Sequence, residues 1–178
     1  MSTEVPEGKR ILLVPLGHVI TMILAQEILE AFDTTAASNL AYAYESNSVE
    51  RQYAYLQEVE KSGDPFWLIR HDGRLIGTIA LREYDRRNRN ARFGVLIFRK
   101  EDQSLHYGSE AVSIIESYAS RKLELHKIYV RILTRNDHGF AWWIRHGYSP
   151  EGVMREEYLL QNGTYADMLS LVKFAPSS

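Results

Sequence analysis

The sequence predicts an α+β fold in which helices flank a mostly antiparallel sheet, and three features carry that expectation. Two hairpin dipeptides, Asp72-Gly73 and Asn162-Gly163, each separate strand-like apolar runs, the pattern that closes neighbouring antiparallel strands. Between ARFGVLIF (91–98) and KIYVRIL (127–133) lies one amphipathic helical stretch, so a single strand-helix-strand crossover interrupts the antiparallel order. Two further helical patterns precede the first hairpin.

Taken in order, RILLVPL gives a strand over Ile11 to Leu16, followed by a helical pattern from His18 to Phe32. A second helix is capped by Asn47, with Glu50 three residues on. Val49, Tyr53 and Leu56 share its apolar face, and Gly63 ends it. FWLIR (66–70), the turn HDGR and LIGTIALREY (75–84) form a hairpin, and the strand 91–98 follows. The connection EYDRRNRNAR between those last strands holds Arg86, Arg87 and Arg89. A short charge run of this kind reads as a solvated loop, with the holding of an anionic acceptor as the alternative.

Polar RKEDQSLHYGSEA then leads into a helix over Ser109 to Lys122, with Ala111, Val112, Ile115, Tyr118 and Ala119 turned to the core. The strand 127–133 comes next. A helix over His138 to Arg145 follows, closed by Gly147, and EYLLQNGTYADMLSLVKF ends the chain as two strands. The order is β-α-α-β-β-β-α-β-α-β-β, with no repeat, linker or low-complexity tract, so residues 1–178 are expected to form one domain.

Composition narrows the function classes. A chain of 178 residues, 45% hydrophobic and 25% charged, is long enough to bury its own core. Without cysteine it has no disulfide framework, no thiolate metal site and no cysteine nucleophile. Its most apolar stretch, ILLVPLGHVITMILA, is broken by Pro15, Gly17 and His18, short of the roughly 18 uninterrupted apolar residues of a spanning helix. The start MSTEVPEGKR lacks a basic segment leading into an apolar one, so a cytoplasmic location is the default expectation. A net charge of −2, from 21 basic and 23 acidic residues, provides no global field for nucleic acid or anionic membrane, and neither is expected as a partner.

The chemistry concentrates in LIFRKEDQSLHYGSEAV. Strand, polar loop with glycine, then helix N-terminus is an arrangement that binds phosphate, because first-turn N–H groups point outward and the helix dipole favours negative charge.

Together with its neighbours, that stretch resembles the GNAT superfamily of acyl-CoA-dependent N-acetyltransferases, especially the branch of ribosomal-protein and spermidine N-acetyltransferases. The resemblance covers residues 66 to 172. It rests on RLIGTIALREYDRRNRNARFGVLI as paired central strands, YGSEA as the start of a long coenzyme-binding helix, LHKIYVRILTRN as the next strand with its asparagine, and GYSPEGVMREEYLLQNGTYADM as the closing strands. It implies a GNAT-like mixed, mostly antiparallel sheet flanked by helices. Acetyl-CoA is implied as cosubstrate, with no metal, and a small-molecule or peptide amine as acceptor. Many such relatives dimerise, so a homodimer is one expected state, although no stretch of the sequence marks an interface.

Site residues follow from the same resemblance. The family's Gln/Arg-x-x-Gly-x-Gly/Ala loop, whose main-chain amides hold the coenzyme pyrophosphate, falls on Gln103, Ser104, Leu105, His106, Tyr107, Gly108 and Ser109. His106 replaces its first glycine. A positive φ there would cost a histidine about 1 kcal/mol. Main-chain N–H groups near Ile97 and Phe98 are implied to polarise the thioester carbonyl. Asn136 matches the family asparagine, and Trp143 takes the place of a tyrosine that often protonates the departing thiolate. Indole donates a hydrogen bond but does not release its proton, which leaves Tyr148 or Tyr107 as substitute donors. Arg92 occupies a position where some relatives carry a glutamate base. Glu83, Tyr84 and Asp85 are the nearest alternatives. Two function classes stay open at this point: an acetyltransferase, or a GNAT-fold acyl-CoA-binding or sensor protein with little catalysis.

Overall fold

Antiparallel pairing follows from the turn chemistry. In the computed structural model, which describes residues 9–32, 48–160 and 162–175, β2 (Phe66–His71) turns into β3 (Arg74–Asp85) through Asp72 and Gly73. Their φ values are 48° and 77°, the double positive φ whose twist matches that of paired strands. At the other end β6 (Ser149–Leu159) and β7 (Tyr165–Phe174) join through Asn162 and Gly163, the glycine at φ 81°. With β1 (Leu12–Pro15), β4 (Asn90–Ile97) and β5 (Lys127–Leu133) they build a seven-stranded sheet in the order β1-β2-β3-β4-β5-β7-β6.

The helices lie on both faces of this sheet. On one, α1 (Met22–Ala31) and α2 (Val49–Ser62) bury Leu24, Ile28, Leu56 and Val59 against Leu68, Leu75 and Phe98. On the other, α4 (Tyr107–Arg121) buries Ala111, Val112 and Ile115 against Trp67, Ile79, Phe93 and Ile97. Trp143 of α5 (Asp137–Arg145) joins the same cluster. Adjacent residues of β3 and β4 serve opposite clusters, as the period of a strand requires. Among the described residues no helix is long and apolar enough to cross a membrane.

Several boundaries depart from the sequence expectation. Leu16–His18 forms a 3-10 turn, and α1 starts at Met22 because the Thr21 hydroxyl accepts from the Leu24 N–H at 3.0 Å. The cap expected at Asn47 falls outside the described residues. Ser48 caps α2, its hydroxyl accepting from Arg51 N–H at 3.3 Å, and Gly63 ends the helix at φ 72°. A short α3 (Lys100–Gln103) occupies the supposed polar loop, and α4 begins two residues early, at Tyr107. β6 starts at Ser149. It is an edge strand exposed along nearly all its length, so it lacks the apolar alternation by which a half-buried strand is recognised.

One feature of the sheet positions the site. β4 pairs with β3 from Arg92 to Ile97, but with β5 in parallel only at Asn90, Ala91 and Arg92, against Lys127, Ile128 and Tyr129. Beyond those pairs the two strands part. Gly77 permits the close approach of β3 on the other side: a Cβ there would stand 2.3 Å from the Leu96 carbonyl oxygen.

Candidate active site

Parting β4 from β5 leaves one edge of β4 without a strand. The Phe98 N–H donates to the Ile76 carbonyl at 2.9 Å. Because an antiparallel ladder alternates, the backbone groups of Phe93, Val95 and Ile97 face the opening instead. Of the two amides expected to polarise a carbonyl, that of Ile97 faces the opening. Phe98 is a correction, since its N–H is already bound to β3.

A cleft of about 1190 Å³ fills the gap. Phe93, Val130, Ile132, Trp142 and Trp143 line it on the α4/α5 side. Thr78, Ala80, Arg82, Arg92 and Arg131 line it together with Arg51 and Tyr55 of α2. The cleft therefore runs through the sheet from one face to the other.

At the C-terminal end of β4 the chain turns into the expected phosphate loop. Gln103 Nε2 donates to the Ile97 carbonyl at 3.1 Å. Asp102, only 2% exposed, receives both Arg74 Nη1 and Nη2 at 2.8 and 2.7 Å, pinning α3 to the start of β3. His106 then takes φ 63°, ψ 13° as the N-cap of α4, and no side chain caps the helix. Its first-turn N–H groups, at Tyr107, Gly108 and Ser109, precede the first intrahelical donor, Glu110. This fits an anionic diphosphate: an uncapped helix N-terminus, a left-handed residue before it, and Gly108 without a side chain against Ile97 and Trp142. The left-handed φ expected of a glycine is met by the histidine.

Gln103, Ser104, His106, Gly108, Ser109, Ile97, Phe98, Asn136 and Trp143 all line the cleft. Leu105 and Tyr107 do not. The Tyr107 ring is buried against His71, 4.6 Å between centroids, and under Arg10 at 5.2 Å, so only its main chain belongs to the loop and it is no proton donor to the cleft. Asn136 caps α5, its Oδ1 accepting from Gly139 N–H at 2.9 Å. A Cβ at Gly139 would stand 2.6 Å from the Asn136 amide nitrogen and displace the cap.

Trp143, 6% exposed, packs against Phe93 and Trp142 with centroids 5.9 and 4.7 Å away, while Trp142 stacks on His146 at 3.9 Å. Both indoles border the cleft, although packing was the expectation for Trp142. Tyr148, the substitute donor, does not reach it. Its ring lies against Trp143 at 4.8 Å and under Lys173 at 5.6 Å, and its hydroxyl is buried. Burial and the Glu116 carboxylate push its phenol far above the ordinary tyrosine range. Buried outside the lining, that hydroxyl reaches no leaving group in the cleft.

Glu83 and Tyr84 are displaced from the role of base in a similar way. β3 is irregular between Arg82 and Asp85, and Glu83 has φ 53°. Asp64 holds that strained turn by accepting the Glu83 and Tyr84 N–H groups at 3.1 and 3.2 Å. The Glu83 carboxylate accepts from Arg92 Nε and the Tyr129 hydroxyl, both at 2.7 Å, with Arg131 at 3.6 Å. Burial raises its pKa, but the Tyr129 hydrogen bond and the two guanidinium charges outweigh that and hold it below the usual carboxylate value. Burial, and after it the same contact, pushes the Tyr129 phenol up to about 12. Glu83 is therefore a counter-ion, and it does not line the cleft. Tyr84 packs on the core beneath Arg86, whose guanidinium lies 5.6 Å from its ring.

The hairpin arginines also lie elsewhere. Arg86 and Arg87 are exposed, and Arg89 Nε donates to the Glu124 carbonyl at 2.7 Å. None of the three lines the cleft. Sequence reasoning missed Arg51, Arg82 and Arg131, which do. The only signal of Arg82 and Arg131 was a charged residue inside an otherwise apolar strand, REY after LIGTIAL and RIL after KIYV, and Arg51 in the first turn of α2 had none.

Residues 20–170 match the family described as acetyltransferase (GNAT) domain. The chain is 28% identical over 157 residues to an uncharacterized N-acetyltransferase of Bacillus subtilis, covering 84% of this chain and 88% of that one. It is 24% identical over 126 residues to spermidine N(1)-acetyltransferase of Escherichia coli, covering 71% and 67%. A ribosomal-protein alpha-N-acetyltransferase solved with coenzyme A superposes with a TM-score of 0.79 at 18% identity, over 96% of this chain and 97% of that one, a likeness of fold. The match over most of the chain establishes that this protein belongs to the GNAT acetyltransferase family and is an acetyl-CoA-dependent N-acetyltransferase.

Proposed function

We propose that the protein transfers acetyl from acetyl-CoA directly to a primary amine of a small molecule or a peptide N-terminus. The observation that carries this reading is the open edge of β4, which leads from the parted strands to the uncapped N-terminus of α4. The cosubstrate supplies an activated acyl thioester. The chain holds the diphosphate at Tyr107, Gly108 and Ser109 and lays the intervening arm from Ile97 along the outward backbone groups of Val95 and Phe93, whose N–H groups face the opening and the thioester end. Trp142 and Trp143 wall that passage against water.

Proton handling differs from the expectation. Among the described residues no Asp or Glu lines the cleft, so no carboxylate base touches an amine there. On this reading the neutral amine comes from the acceptor's own ionisation, with His138 of the lining as the protein group that would compete for the role. Accordingly kcat/KM should rise tenfold per pH unit below the acceptor's pKa and level above it. The inflection should move between an α-amine near 8 and an alkylamine near 10. An inflection that stays fixed across amines would instead place a base on the protein. With thiolate a tolerable leaving group at a pKa of about 8.5, Trp143 in place of a phenol slows release without preventing it.

Calorimetric titration with acetyl-CoA, followed by thiol release with a panel of amines, tests the whole reading. Micromolar binding with amine-dependent thiol release is expected. Binding without release would favour the sensor alternative, and no binding at millimolar ligand would remove both.

A further inference from the structure

Charge is distributed unevenly along the cleft. On the α2 side Arg51, Arg82, Arg92 and Arg131 line it, and among the described residues no carboxylate does. The acidic groups nearby sit outside the lining and already have partners. Glu83 meets Arg92, Tyr129 and Arg131. Asp64 accepts two backbone N–H groups and lies 3.6 Å from Arg82 Nε. Glu157 is 3.9 Å from Arg131. Each guanidinium offers five donors, and the three carboxylates that face Arg82, Arg92 and Arg131 stand outside the lining, so the polar groups this wall presents to the cleft are chiefly guanidinium N–H groups. The Tyr55 hydroxyl accepts from Arg82 Nη1 at 3.2 Å and brings one more polar group to the same wall.

These arginines are not placed for the coenzyme diphosphate. Arg92 precedes Ile97 by five residues of extended strand, about 16 Å, and the phosphate loop follows Ile97. They therefore face the other reactant. We infer, resting on the transferase reading above, that the acceptor is a small primary amine that also bears a carboxylate or phosphate, held by Arg82, Arg92 and Arg131. Guanidinium groups bind such anions in paired hydrogen bonds and repel a polycation.

Two measurements on the intact protein test this. The first compares kcat/KM for β-alanine and phosphoethanolamine with that for ethanolamine and spermidine, in wild type and in Arg131→Gln and Arg82→Gln, each checked for a native melting transition. The anionic amines should lead by at least about tenfold, and either substitution should lower that ratio severalfold. β-Alanine against phosphoethanolamine then separates carboxylate from phosphate recognition. The second titrates phosphoethanolamine into the protein with desulfo-coenzyme A, reading the anion site without turnover. Binding lost in Arg131→Gln, even if no amine is acetylated, would sustain the inference while the transferase reading fell. Spermidine or ethanolamine matching the anionic amines, or substitutions that leave the ratio and the titration unchanged, would overturn it.

Discussion

The two ends of the cleft are built by different means. The proposed coenzyme end comes from one contiguous run, Ile97 to Ser109, and offers main-chain N–H groups and a left-handed residue. The arginine end is assembled from α2, β3, β4 and β5, residues as far apart in sequence as Arg51 and Arg131, and offers side chains, of which Glu83 and Asp64 hold Arg82, Arg92 and Arg131. Local backbone chemistry is written in adjacent residues. Converged side chains depend on strand order and register, which adjacent residues do not reveal.

That contrast is open to breaking by substitution. At the coenzyme end, Gly108→Val puts a branched side chain where only backbone now meets the cleft, against Ile97 and Trp142. Acetyl-CoA affinity should fall about 10- to 100-fold, the loss of one charge-assisted hydrogen bond between diphosphate and amide, with acceptor preference kept among turnovers that remain. Calorimetry checks the first and competition between amines the second.

Glu83→Gln addresses the other end through its counter-ion. Arg92 and Arg131 lose their shared charge partner, so acceptor KM should change about fivefold, a coupling near 1 kcal/mol, while the acetyl-CoA Kd holds. A purely structural Glu83 would alter stability without splitting those constants. The pH dependence follows from its lowered pKa. The contribution of Glu83 is complete above the unfolded value of about 4.3 and fades as pH falls through the lower folded value. The stability gap between wild type and Glu83→Gln should thus narrow on acidification below about pH 5, as denaturant midpoints would record.

The smallest effect is expected at His106. Glycine relieves its φ of 63°, so His106→Gly should raise stability by up to about 1 kcal/mol. If amides rather than imidazole hold the diphosphate, the acetyl-CoA Kd should shift less than about threefold. A tenfold loss would give the ring a direct part.

The same division explains what the sequence revealed. Asp72-Gly73, Asn162-Gly163, Gly63 and the loop pattern on Gln103, His106 and Gly108 each express a conformation within a few residues, and the structure adopts all of them. Glu83 and Tyr84 seemed near the acceptor by position in β3, but the irregularity after Arg82 and the Asp64 contacts turn Glu83 toward Arg92 instead. Tyr148 follows Gly147 as the pattern requires, yet its hydroxyl lies buried beside Glu116 and Lys173, residues distant in the chain. The hairpin arginines formed a visible cluster in sequence and a solvated one in space. Arg51, Arg82 and Arg131, scattered in sequence, meet only because β4 and β5 part.

The most direct test of two functionally separate ends is the acetyl-CoA dissociation constant of wild type, Gly108→Val and Arg131→Gln, measured side by side by calorimetry. Coenzyme affinity should drop sharply in Gly108→Val and remain at the wild-type value in Arg131→Gln, whose defect appears only with an anionic amine. An equal loss of acetyl-CoA affinity in Arg131→Gln would contradict the account, because the arginines would then serve the coenzyme rather than the acceptor.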